Sequence, residues 1–198
     1  MYGRSPGLVF GFHATKAETA KALVETSGSA FKPSANNYDW LGHGMYFWEN
    51  SPHRAERFAR DRRIPNAVVI GAVLDLGHCL DLTDSESLSY LSTAYHALKA
   101  TLEAAGEPLP NNTSPKFCCS HDLLIRELDC AVINFLHAQR RRDMKKKQQA
   151  YDSVRGVFWE GEDLYPGAGF KEKNHIQLCI RNPNCIKGFF YPRQQVPW

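Results

Sequence analysis

The sequence predicts an α+β fold: a β-sheet with flanking helices, and a helical insertion at about residues 82–150. Three observations carry this. A nearly continuous apolar run of strand length, "NAVVIGAVLDLG" (66–77), suits a central strand buried on both faces. Two long stretches, opening near residues 83 and 120, repeat apolar positions at the helical period. Short β-rich runs then close the chain, so strands and helices are segregated instead of alternating.

Taken in order, "GLVFGFHAT" (7–15) is β-branched and aromatic and reads as a short buried strand ending at His13. "TKAETAKALVETSG" reads as a helix, with Thr15 as cap, Glu18 completing a capping box and Gly28 helping to stop it. The stretch from Phe31 to Gly44 holds Pro33, Asn36, Asn37, Gly42 and Gly44, which is turn chemistry, and leads into a short segment, "MYFW". "SPHRAERFARDRR" is helical, with Ser51 at the N-cap and Pro52 at the first helical position. After the strand at 66–77, Thr83 and Glu86 form a capping box. Leu88, Leu91, Tyr95, Leu98 and Leu102 make one stripe of the helix that follows, and Gly106 ends it. From Ser120 a second helix carries Leu124, Leu128, Ala131, Val132 and Phe135. Strands are expected at 154–159, 175–180 and 186–191.

With 198 residues, the chain fits a single domain. At 43% hydrophobic and 23% charged, its composition excludes a disordered protein, and its net charge of +3 does not by itself imply a polyanionic partner. The apolar runs are too short to span a bilayer, and "MYGRSPGLVF" lacks the regions of a signal peptide. A cytoplasmic protein with no membrane partner is expected. Six scattered cysteines without a CxxC pair point to reduced thiols, and "CCSH" (118–121) lacks zinc-ligand spacing, so no metal is expected.

"FHAT" (12–15), with "GHGMYFWE" (42–49) following and Tyr46 lying 33 residues after His13, resembles the ADP-ribosyltransferase superfamily, specifically its His-Tyr-Glu branch that includes the poly(ADP-ribose) polymerases. The order "HAT", "GHGMYF", "SPHRAERFA" matches that branch's strand end, Gly-x-Gly-x-Tyr-Phe element and following helix. The likeness covers residues 8–60 and resumes near 154–181. It implies the split β-sheet core of that superfamily, and NAD as co-substrate. Tyr46 would stack on the nicotinamide, His13 would bond the ribose, and the backbone of Ala14, where most relatives have glycine, would engage the carboxamide. Thr15 and Gly44 fall within the same motifs. Phe58 would supply a second aromatic wall, or else belong to the core.

The family's glutamate aligns with Gln177 in "KNHIQLCI", which offers hydrogen bonds but no negative charge. The resemblance therefore implies mono-ADP-ribosyl transfer to a macromolecular acceptor, protein or nucleic acid, instead of chain elongation. Glu160, just after a predicted strand and ahead of Glu162 and Asp163, is the first choice for a compensating acid, and Glu49 is a weaker one. Arg126 and Asp129, three apart on a helix, read as a structural pair. The run "RRRDMKKK" (140–147) is either a solvated helix end or a phosphate-binding patch for a nucleic acid acceptor. A toxin or effector role, with an inhibitory antitoxin as partner, fits such an activity. The competing expectations are an inactive module of the same fold that binds ADP-ribose, NAD or nucleic acid, and, ranked last, an NAD-dependent RNA 2′-phosphotransferase.

Overall fold

A computed structural model describes residues 7–26, 31–114, 122–142 and 149–193. Nine strands and four helices follow one another among them: β1 (Val9–Lys16), α1 (Ala17–Glu25), β2 (Met45–Glu49), α2 (Pro52–Asp61), β3 (Ala67–Leu74), β4 (Cys79–Asp81), α3 (Ser85–Ala105), β5 (Asn112–Thr113), β6 (Ile125–Arg126), α4 (Glu127–Arg142), β7 (Ser153–Phe158), β8 (His175–Ile180) and β9 (Ile186–Phe190). The architecture is mixed α+β. Seven strands form one sheet in the order β4-β7-β8-β2-β1-β3-β9, while β5 and β6 pair separately. All ladders of the large sheet are antiparallel except β4 with β7.

That parallel pair explains the helical insertion. Strands running the same way need a long crossover, and residues 82–150 supply it with α3 and α4. The crossover belongs to the core: Ala94 and Leu98 of α3 and Val132, Ile133 and Leu136 of α4 pack with Val154, Phe158 and Cys179 of the sheet and with Trp40 and Leu41 of the loop before β2. On the same face α2 lays Ala55 and Ala59 over Ala14 and Trp48. The opposite face buries Met45, Phe47, Ala72, Leu74, Leu178 and Ile180, and is covered in part by α1 through Ala20 and Leu23. Phe47 is 1% exposed, so neighbouring residues of β2 divide between the two faces as a strand requires.

Local details depart from the expected ones. Thr15 caps nothing: β1 continues to Lys16, which occupies the N-cap of α1 without a side-chain cap bond. The cap of α3 is Asp84, whose carboxylate accepts from the Ser87 N–H at 2.8 Å, while Thr83 turns to Asp81. Gly106 does end α3 in the left-handed conformation, at φ +71°. Leu88, placed on the apolar stripe from sequence, is 48% exposed. The proposed stop at Gly28, the "CCSH" stretch and most of the basic run lie outside the described residues. Among the described residues Cys79, Cys130, Cys179 and Cys185 are buried, no group of three candidate metal ligands occurs, and no helix is long and apolar enough to cross a membrane.

Candidate functional site

The sheet splits between β1 and β2. Their ladder consists of Gly11 opposite Glu49 and Phe12 opposite Trp48, and there it ends. Beyond it β1 stays paired only with β3, as far as Lys16 opposite Ala67, and β2 only with β8, from Trp48 opposite Gln177 to Met45 opposite Ile180. The next hydrogen-bonded pair in this register would be Ala14 with Tyr46. In its place the His13 side chain reaches across, its Nδ1 2.9 Å from the Tyr46 carbonyl. A carbonyl only accepts, so Nδ1 carries the proton and Nε2 is left as a bare acceptor. Burial pulls the His13 pKa down to about 4, against the opposing effect of that carbonyl, so the ring is neutral at pH 7.

Backbone direction follows from the same register. The Phe10 carbonyl faces β2, accepting from the Asn50 N–H at 2.9 Å. Peptide groups alternate along a strand, so those of Phe12 and Ala14 face the same edge. Ala14 therefore presents its N–H and C=O to the split, past the last rung. Its methyl group is buried under α2, 3% exposed, and does not obstruct that edge.

Tyr46 takes part through its backbone more than its ring. Its hydroxyl donates to the Gly42 carbonyl at 2.8 Å and accepts from the Leu41 N–H at 2.9 Å, and burial raises its pKa well above the usual phenol value. The two side chains leave the sheet on opposite faces: His13 lies against Phe31 and Phe47, while Tyr46 packs with the α3–α4 cluster. The structure thus joins His13 to the Tyr46 carbonyl, not to the Tyr46 ring. Gly44 is fixed by packing, since a Cβ there would lie 2.6 Å from Cys179 Sγ and 2.7 Å from the Ile180 carbonyl oxygen. Thr15 is half-buried at the β1 edge of the split.

Gln177 is on β8, on the Tyr46 face. Its Oε1 accepts from Trp40 Nε1 at 2.6 Å. Indole can only donate, so this bond settles the amide orientation and leaves Nε2 as the outward group. Arg126 lies 4.7 Å from the Trp40 ring centre and 5.5 Å from that of Phe158, and is ion-paired with Asp129, the structural pair expected from sequence. Glu160, beyond the end of β7, is not a free acid. Its Oε2 meets Arg54 at 2.5 Å and its Oε1 meets Lys173 at 3.5 Å. Glu49 is bound to Arg155 at 2.7 Å, and Asp163 to Lys171 at 2.8 Å. Phe58 packs beside Trp48 at 5.0 Å with α2's apolar face, which is the core alternative weighed for it. Of the basic run, Arg140 stacks on Tyr151 at 4.0 Å and donates to the Gln149 carbonyl, so it is engaged within the fold.

Sequence reasoning missed Trp40, Arg54, Trp48 and His175, which surround Gln177 and Glu160. The aromatic density of residues 38–50 hinted at the two tryptophans, and nothing local pointed to Arg54 or His175.

No protein-family model matches this chain. An uncharacterized protein of Methanocaldococcus jannaschii is similar to it, 23% identical over 197 residues that cover 89% of this chain and 83% of that protein. No solved structure matches it.

Proposed function

We propose that the protein is a mono-ADP-ribosyltransferase that binds NAD at the split between β1 and β2 and transfers ADP-ribose to a macromolecular acceptor. The observation that carries this reading is the missing rung. A neutral His13 bonded to the Tyr46 carbonyl, with the Ala14 peptide edge beside it, makes a short polar notch at the positions that carry the sequence resemblance. His13 Nε2 accepts a ribose hydroxyl proton, and the Ala14 N–H and C=O match a carboxamide. In the reaction the C1′–N bond to nicotinamide breaks, its electron pair leaving with nicotinamide. An acceptor nucleophile then bonds to C1′ and gives up its proton. Gln177, at the position of the family's glutamate but on the face opposite His13, supplies no charge to the oxocarbenium-like transition state, which suits one transfer over elongation.

A second reading, an inactive module of the same fold that binds NAD or ADP-ribose, is favoured by a separate observation: Glu160 and Glu49 are both held by arginines and Gln177 is neutral. One experiment separates the two. The protein is incubated with nicotinamide-labelled NAD and a cell extract while NAD binding is followed by calorimetry. Nicotinamide release that drops at least tenfold in His13→Ala, with the fold intact by circular dichroism, supports the transferase. Binding without release supports the module. Release unaffected by His13→Ala and by Tyr46→Ala removes this site from the reaction. A parallel incubation with NAD labelled in its adenylate half, which stays with the transferred ADP-ribose, identifies the acceptor class when the labelled product is digested separately with protease and nuclease.

A further inference from the structure

Beside the split, a second polar site is buried where α2, β2 and β8 meet. Arg54 has only 10% of its side chain exposed, and of its guanidinium only Nη2 has a partner, Glu160. Its Nε and Nη1 are buried with no hydrogen bond. The same holds for Trp48 Nε1 and His175 Nε2, on residues 5% and 9% exposed. The groups are neighbours: the Arg54 guanidinium lies 5.7 Å from the centre of the Trp48 ring, and the Trp48 and His175 ring centres are 6.4 Å apart. Buried donors of a charged group are seldom left unbonded, because losing water without a replacement is costly.

The chemistry these groups ask for is specific. Nη2, common to both forks of the guanidinium, is the nitrogen Glu160 holds; once released it forms a fork with Nε or Nη1, and Trp48 adds a further N–H, a donor set that fits a tetrahedral oxyanion. His175 asks for the opposite. Its Nδ1 donates to the Lys173 carbonyl at 2.6 Å, so Nε2 is a bare lone pair that needs a proton from the ligand. Burial lowers the His175 pKa to about 4, which keeps that lone pair free at neutral pH. Carboxylate and sulfate have acceptor oxygens but no hydrogen at pH 7. Hydrogen phosphate and a singly protonated phosphomonoester have both. The diphosphate of NAD, a diester without P–OH, does not meet the His175 requirement, so this inference is independent of the transferase reading.

We propose that Arg54, Trp48 and His175 bind a protonated phosphate group, free or as a phosphomonoester, and that Glu160 occupies Arg54 until that group displaces it. Lys173 makes the exchange feasible. It contacts the other carboxylate oxygen of Glu160 at 3.5 Å and also Asp61 at 3.5 Å, so Glu160 keeps a cationic partner when Arg54 turns to phosphate. Glu160 lies at the start of the loop between β7 and β8.

Calorimetric titration of the full chain, without NAD, tests this with inorganic phosphate, AMP and sulfate. Phosphate is expected to bind at least about tenfold more tightly than sulfate, the worth of one charge-assisted hydrogen bond. AMP tighter than phosphate assigns the group to a nucleotide, and equal affinities assign it to free phosphate; each supports the site. Arg54→Met should weaken phosphate about tenfold or more, and Glu160→Gln, which removes the competing charge, should tighten it several-fold. Equal binding of phosphate and sulfate overturns the proposal. So does an unchanged or weaker phosphate affinity in Glu160→Gln, or no phosphate binding in either wild type or Glu160→Gln. Because Glu160→Gln is read as a gain, a poorly folded Arg54→Met does not decide the outcome. Nicotinamide release, measured separately, tests the transferase reading without bearing on this one.

Discussion

Tyr46 illustrates how much a single hydroxyl can fix. Its two hydrogen bonds, to the Leu41 N–H and the Gly42 carbonyl, tie the turn before β2 to the strand itself. Tyr46→Phe keeps the ring and deletes both bonds, and the Leu41 N–H then lacks its partner. The expected cost is about 1–3 kcal/mol in a urea denaturation series; a change below ~0.5 kcal/mol would mean that the hydroxyl is dispensable. Gly44 makes a sharper case. An added methyl meets the backbone of Ile180 and the sulfur of Cys179, neither of which can swing away, so Gly44→Ala should cost about 1–3 kcal/mol or prevent soluble expression. The glycines of "GHGMYF" were legible as turn formers, yet the packing reason for Gly44 was not, because Cys179 and Ile180 lie more than a hundred residues away. For the same reason Arg54 escaped notice: on a helix as polar as "PHRAERFARD", nothing marks one arginine as buried until Glu160 and Trp48 are seen around it.

Among elements, those that declare themselves locally were the ones readable in advance. The apolar run of β3, the closing strands β7, β8 and β9 and the long periodicity of α3 fall close to where the residues put them, whereas α4 begins at Glu127, later than the expected start near Ser120, because Leu124 lies in a loop and Ile125–Arg126 pair as β6. What no local pattern encodes is where a ladder stops. β1 runs three residues past His13, and the split arises because its partner changes, from β2 and β3 together to β3 alone. Strand β4, only three residues long, exists through its parallel pairing with β7 and had no signal of its own. The start of α3 turned on a choice between adjacent polar residues, and geometry selects Asp84. Replacing Asp84 with alanine should lower stability by ~1 kcal/mol, whereas Thr83→Ala, which removes no cap bond, should cost distinctly less. Comparing the two variants by thermal unfolding decides between them, and a larger loss for Thr83→Ala would reverse the assignment. Trp40→Phe belongs to the same scale, since Trp40 links the loop before β2 to β8 through Gln177. Deleting that bond should cost about 1 kcal/mol in a urea series, while Gln177→Glu costs less, because a carboxylate still accepts from Trp40.

At the scale of the whole molecule, three histidines among the described residues are folded in the neutral state. Burial lowers the pKa values of His13 and His175 to about 4 and that of His137 to about 3, the last helped by the cationic Arg181, Arg141 and Arg140. Each lies below the ordinary histidine value of 6.5, so between that value and the folded one the unfolded chain binds more protons. Stability then rises with pH in this window. It is fully present above about pH 6.5 and is lost as the solution is acidified towards the folded values. At pH 5 an unfolded histidine is almost fully protonated while its buried counterpart is not, which costs about 2 kcal/mol for each of the three. Most carboxylates are still ionised at pH 5, so the loss between pH 7 and pH 5 reports mainly on histidine. Urea midpoints measured across that range should fall steeply and return on neutralisation, and a His137→Gln variant should show about a third less dependence. A midpoint that stays flat from pH 7 to pH 5 would mean that these rings take up protons in the fold as readily as in the unfolded chain. In that case His13 Nε2 would cease at pH 5 to be the acceptor that the β1–β2 notch requires, and His175 Nε2 would cease there to be the lone pair that waits for a phosphate proton.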